Sequence, residues 1–205
     1  EAGFLRDLGA PAADETLNGA LAYRDWIDGV GLDSAERGHP PGAFAGVFAR
    51  ARDAGLFAVA HAGEEGPAAY VREALDALRV RRVDHGVAAA GDPELLDRLR
   101  RERVALTMCP LSNVRLGVVS RLEDHPLKQL LDAGLLVTVN SDDPAYFGGY
   151  LVDNLVAAQR ALGMRRRDLV RLARNSFEAA QLDDVERRRL LAGLDEFAAR
   201  RRIVA

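Results

Sequence analysis

The stretch Asn140-Ser-Asp-Asp-Pro144 places two adjacent carboxylates, Asp142 and Asp143, just past a short apolar run from Leu135 to Val139. Such a run, β-branched and opening after Gly134, reads as a buried strand, and Pro144 marks the turn that follows. Two other apolar runs end in the same manner, at His61-Ala-Gly-Glu64 and at Asp84-His85-Gly86. In α/β folds, ligands and chemistry collect at the carboxyl ends of the strands. His, Glu, His and Asp at three strand ends form the residue set of metal-assisted hydrolysis. Imidazole and carboxylate bind a divalent cation, and a nearby carboxyl moves protons between water and substrate.

Each of these residues also has an ordinary structural reading. A His-x-x-Glu spacing suits a histidine that satisfies a hydrogen bond at a helix start. His85 fits a metal ligand, a group that orients an attacking hydroxide, or a core histidine with its ring paired. Asp142 and Asp143 suit the capping of a turn, although two charges buried unpaired at a strand end cost several kcal/mol and so require a cation or donors. His125, in Asp124-His-Pro126, reads as capping at a helix start, and His39, in Gly38-His-Pro-Pro41, is open to either reading. Cys109 follows an apolar strand with no base nearby in sequence, and it reads as a small core or pocket-lining residue rather than a nucleophile.

The elements that must position these residues alternate. Helices are expected over 14–25 (with Asp14 as cap), 42–54, 67–78, 92–103, 124–133, 151–162, 165–176 and 183–200, from apolar spacing and from caps such as Asp92-Pro-Glu94. Strands are expected over 26–33, 56–60, 82–85, 104–109 and 135–140, with a stub at 2–6. Alternation of this kind argues for parallel strands joined by right-handed crossovers. Pattern alone suits either an open doubly wound sheet or a (β/α)₈ barrel, but no G-x-G-x-x-G or P-loop supports a nucleotide-binding sheet. No linker or low-complexity segment divides the chain, so residues 1–205 are expected to form a single domain.

Composition narrows the classes further. Nearly half of the 205 residues are hydrophobic (48%), enough for a sizeable core. The net charge of −3 gives no electrostatic footprint for nucleic acid, and the arginines stand among acids, as in Asp97 to Arg103, on what read as solvated faces. No apolar run approaches the ~20 residues of a membrane-spanning helix, and no signal peptide opens the sequence. With a single cysteine, which suits a reducing compartment, a soluble cytoplasmic protein is expected.

The motifs His61-Ala-Gly-Glu64, Val83-Asp-His-Gly86, Cys109-Pro-Leu-Ser-Asn113 and Asn140-Ser-Asp-Asp-Pro144, in this order, resemble those of the adenosine/adenine deaminase family of metal-dependent hydrolases. The extended forms His61-Ala-Gly-Glu-Glu-Gly-Pro67 and Pro144-Ala-Tyr-Phe-Gly-Gly-Tyr150 are most similar to the adenine deaminase branch. The resemblance implies an α/β fold, a (β/α)₈ TIM-type barrel, of which this chain would supply about the end of strand 3 to strand 8 and the C-terminal helices. It implies one Zn²⁺ per active site and a small purine as substrate. By position, His61 and Asp142 would be zinc ligands, and Glu64 would protonate a purine ring nitrogen. Asp142 would also help take a proton from the water, His85 would hold the attacking hydroxide, and Asp143 would bond to the purine's five-membered ring. The family's His-x-His pair, two further zinc ligands at the end of its first strand, has no counterpart here. Ala2 to Arg6 would match the third strand and the sequence opens at Glu1, so an N-terminally truncated chain is expected.

The function so implied is zinc-dependent hydrolysis of adenine to hypoxanthine and ammonia. Deamination of adenosine or of another adenine derivative is the alternative within the class, with Glu36 and Arg37 expected as a polar wall closing on a free base. A different class is a non-catalytic purine-binding protein or an inert barrel fragment, since two of the family's zinc ligands are missing.

Overall fold

The computed structural model describes residues 1–203 and contains six strands among them, every recorded pairing being parallel. The chain divides into two compact units, Glu1–Val104 and Ala105–Ala205.

In the first unit, strands β1 (Ala2–Leu5), β2 (Gly29–Asp33), β3 (Phe57–Ala62) and β4 (Arg82–His85) pair in sequence order. Each is short, and β2 and β3 are buried at most positions, as expected for strands covered by helices. The register sets Ala2 beside Val30, Gly29 beside Phe57 and His61 beside Asp84. Helices α1 (Gly9–Leu21), α2 (Ala45–Asp53), α3 (Ala68–Glu73) and α4 (Pro93–Arg101) lie between and after the strands. The core joins strand residues Phe4, Leu32, Val59 and Val83 to helix residues Leu17, Phe48, Val71 and Leu99, all at most 2% exposed. Phe4 meets Phe48 edge to face at 5.5 Å between ring centroids, the arrangement that the ring quadrupole favours.

In the second unit, β5 (Ala105–Met108) pairs with β6 (Leu136–Val139), and the ladder is extended by the Asn140 N–H to the Met108 carbonyl at 2.8 Å. Both strands are buried throughout. Around them stand α5 (Pro110–Arg115), α6 (Leu127–Asp132), α7 (Pro144–Phe147), α8 (Leu151–Ala161), α9 (Arg166–Ala179) and α10 (Asp184–Arg200). Helix α9 packs on β6, and Asn175 donates to the Val137 carbonyl at 2.7 Å.

The bounds of β4 are those read from sequence, and the other strands fall within two or three residues of expectation. Several helices differ. Helix α1 starts at Gly9, so Asp14 lies inside it and pairs with Arg50 at 2.5 Å instead of capping. It ends at Leu21, and Arg24–Trp26 form a 3₁₀ turn where a strand was expected to begin. Arg24 holds that turn by donating to the carbonyls of Ala54 and Ile27. The expected helix over 67–78 is α3 followed by a π turn, Ala74–Leu78, closed by Arg79 at φ 57°. Strand β3 runs through Ala62, which puts His61 within the strand. Among the described residues no helix is long and apolar enough to cross a membrane.

Candidate functional site

Strand β3 carries His61 and leads into a loop, 63–66, that bears Glu64; β4 delivers His85 as its last residue. Gly63 makes the exit from β3 at φ 75°, and a Cβ there would lie 2.8 Å from Val71 Cγ2, so both the turn and the packing require glycine. His85 itself sits at φ 66° and Gly86 at φ 70°, two successive left-handed residues that turn the chain sharply as the strand ends. A β-region backbone is the ordinary state for histidine, and a left-handed one at a strand end marks a position held by its surroundings.

This local folding brings three potential ligands together. The ligand atoms of His61, Glu64 and His85 all lie within 4.8 Å of one another. His85 Nδ1 is 3.1 Å from Glu64 Oε1, with both side chains nearly buried, and the two imidazole rings stand edge to face at 4.8 Å. Two imidazoles and a carboxylate make a donor set suited to a zinc-type cation. The same trio can move a proton, because a carboxyl paired with an imidazole has a route for the proton it gives or takes.

Asp33, at the end of β2, reaches His61 Nε2 at 3.5 Å. Burial pushes its carboxyl pKa up, and Asp84 adds to the rise, while His61, Arg6 and Arg82 oppose it. Asp84 is itself held by Arg82 Nε at 3.0 Å. Asp33 is a site-lining residue that the sequence motifs do not single out, although a carboxylate ending an apolar strand is the same signal that marks Asp142.

Glu36 does not form the expected polar wall. It is 1% exposed, and its carboxylate lies beneath the 63–66 loop, accepting the backbone N–H groups of Gly63, Glu64 and Gly66. Arg37 is exposed. His39, left open by the sequence, offers its carbonyl to the buried Arg6 guanidinium at 2.7 and 3.0 Å.

In the second unit, Asp142 and Asp143 follow β6. Both are exposed, so the burial argument for a compensating cation does not apply to them. Asp142 adopts φ 58°. One of its oxygens accepts from Ser112 Oγ at 2.5 Å and the other from the Asp143 N–H at 2.9 Å. Asp143 caps α7 by accepting from Ala145 N at 3.1 Å. In the motif Cys109-Pro-Leu-Ser-Asn113, Cys109 is the N-cap and the next four residues open the short helix α5, with Ser112 and Asn113 fully buried. Cys109 is buried, as expected of a core residue.

His125 fixes this motif. Its Nε2 lies 3.1 Å from Asn113 Oδ1, and its Nδ1 accepts the Leu127 N–H at 3.1 Å, the capping read from sequence. That acceptance requires an unprotonated Nδ1, and burial pushes the imidazole pKa down from 6.5 to about 4. Between those values the unfolded chain binds more protons than the native one, so stability is present above the unfolded pKa and is lost as pH falls toward 4. The full loss amounts to about 3 kcal/mol, since each tenfold difference in proton affinity between the two states is worth ~1.4 kcal/mol. Urea denaturation between pH 7 and pH 4 should show this slope in the wild type and a shallower one in His125→Gln.

The sequence profile of the adenosine deaminase family matches residues 4–197. An adenine deaminase of Cupriavidus necator is 59% identical over 194 residues, covering 95% of this chain and 55% of that protein. An adenine deaminase of Streptomyces coelicolor is 59% identical over 196 residues, covering 95% and 58%. The chain thus spans little more than half the length of the curated relatives it matches. Among solved structures, adenine deaminase from Arthrobacter aurescens matches with a TM-score of 0.93 at 48% identity, over 96% of this chain and 60% of that one. An amidohydrolase from Burkholderia ambifaria with bound Zn matches with a TM-score of 0.88 at 27% identity, over 96% and 57%.

Proposed function

The chain belongs to the adenosine deaminase family, and from that premise we propose that the protein hydrolyses the 6-amino group of adenine, giving hypoxanthine and ammonia. The observation that carries the reading is the Glu64–His85 pair at 3.1 Å with His61 alongside, at the positions the family motifs assign to chemistry. The fold proposed for the complete protein is the (β/α)₈ barrel, and the zinc borne by the related amidohydrolase supports zinc as the metal. His61 and Asp142 are the proposed zinc ligands. The His61, Glu64 and His85 donor atoms within 4.8 Å of one another fit such a cation. Its single cysteine favours the cytoplasm.

When bound, zinc contributes the Lewis acidity that makes water a competent nucleophile near neutral pH. Glu64 gives a proton to a ring nitrogen of the purine, which leaves C6 more electrophilic. His85, bonded to Glu64, orients the attacking oxygen, and Asp142 receives a proton from the water as its oxygen bonds to C6. The C6–amino bond then breaks with protonation of the leaving group, so that adenine and water yield hypoxanthine and ammonia. Asp143 bonds to the five-membered ring and fixes which edge of the purine enters.

The test is to purify the protein without chelator, measure its zinc, and assay adenine, adenosine and an N6-methylated adenine nucleotide in parallel. Hypoxanthine should form from adenine with a kcat/KM at least about 10²-fold above that for the other two, the scale on which a closed pocket rejects added groups. Faster release of inosine would move the assignment to the nucleoside. A second reading is a purine-binding protein without turnover. Tight adenine binding with neither zinc nor ammonia release would establish it.

A further inference from the structure

Of the residues proposed for proton transfer and metal binding, His61 sits on β3 and Glu64 on the loop after it, and loops hold side chains less closely than strands do. Between the end of β3 at Ala62 and the start of α3 at Ala68 the backbone has no regular partner. Its N–H groups would be orphaned there unless something else accepted them. Glu36 is that acceptor. One carboxylate oxygen takes the Gly63 N–H at 2.9 Å and the Gly66 N–H at 2.8 Å, and the other takes the Glu64 N–H at 3.1 Å. Arg6, also fully buried, donates to the His61 carbonyl at 2.8 Å and twice to that of His39. Its guanidinium lies 5.9 Å from the Tyr70 ring centroid.

We propose that Glu36, assisted by Arg6, is a positioning residue: the two buried charges clamp the His61–Gly66 backbone through its N–H groups and the His61 carbonyl, and so set where His61 and Glu64 present their reacting atoms. Charge-assisted bonds to backbone amides are shorter and stronger than neutral ones, and three on one carboxylate leave the loop few alternatives. Neither residue touches the substrate in this scheme. Their contribution is to a geometry in which a displacement of about 1 Å can cost 10²-fold in rate. The catalytic part of the inference rests on the deaminase reading; the clamp itself does not.

Glu36→Gln is the informative variant. It keeps the shape, but it removes the charge and turns an amide N–H₂ toward at least one of three backbone donors. Hydrogen exchange at the Gly63, Glu64 and Gly66 amides should quicken by about 10-fold or more, with the β5 amides unchanged. kcat for adenine should fall by about 10-fold or more while KM stays within about 3-fold and zinc content is retained. Arg6→Lys, which loses the fork but not the charge, should act in the same direction, and exposed Glu15→Gln should change nothing. Unchanged exchange at the three amides would overturn the clamp, and quickened exchange with an undiminished kcat would overturn its catalytic role. A wild-type protein unable to deaminate adenine would instead overturn the deaminase reading and with it the catalytic role, while the exchange result would still decide the clamp.

Discussion

Glu64→Gln is expected to lower the kcat of adenine deamination about 10³-fold, within the range in which a positioned general acid acts. The amide is nearly isosteric and can still meet His85 Nδ1, now 3.1 Å from Glu64 Oε1, so the trio's shape survives while the transferable proton is lost. Protonating the ring nitrogen is required as the nucleophile arrives at C6, because the added electrons must go to that nitrogen. An interaction made only then lowers kcat and kcat/KM together and leaves KM nearly unchanged. Steady-state kinetics on wild type and variant, with zinc measured in both, checks this. A loss carried mainly by KM would place Glu64 in ground-state binding instead.

His61→Ala should cost zinc before it costs anything else. The imidazole leaves β3 beside His85 and Glu64, and its ligand atom is among the three within 4.8 Å of one another. Outer partners of a metal site already contribute 10- to 100-fold to affinity, so if His61 is the ligand proposed above, its removal should weaken zinc binding by about 10²-fold or more. Dialysis against a graded chelator series, read by zinc content, would show the variant empty at chelator strengths the wild type withstands. Wild-type retention in His61→Ala would remove His61 from the ligand set. The variant should remain folded, since His61 is partly exposed and its strand neighbours Ala60 and Ala62 carry the packing.

The residues proposed for chemistry were legible as candidates because each stands where an apolar run stops: His61, His85 and Asp142 are marked by type and by place. The strands were legible for the same reason, and β4 falls on the bounds its pattern gave. What supports those residues was not. Glu36 meets its partners 27 to 30 positions away, and Arg6 meets the His61 carbonyl 55 positions away. Read by its sequence neighbours, a charged side chain is assigned to the surface, and only the fold reveals that it is buried against a loop. Ser112 stands in a motif quoted for the family resemblance, but its bond to Asp142, 30 positions away, was not legible, and α5 has six residues, too few to show a period. The left-handed backbone of His85 and Asp142 was also hidden, since glycine is the usual signal for that conformation.

The sequential pairing of β1, β2, β3 and β4 bears on how the protein is made. A strand added to this sheet finds its partner already present, in the segment synthesised immediately before it. Neighbours such as Ala2 and Val30, or Val59 and Arg82, are close along the chain, so each docking step closes a short loop and contact order stays low for a parallel sheet. The first unit can therefore assemble progressively as it emerges from the ribosome, each new strand covering the edge left by the last. The growing edge, the feature of a sheet most prone to aggregation, is thus covered at each step by the strand synthesised next.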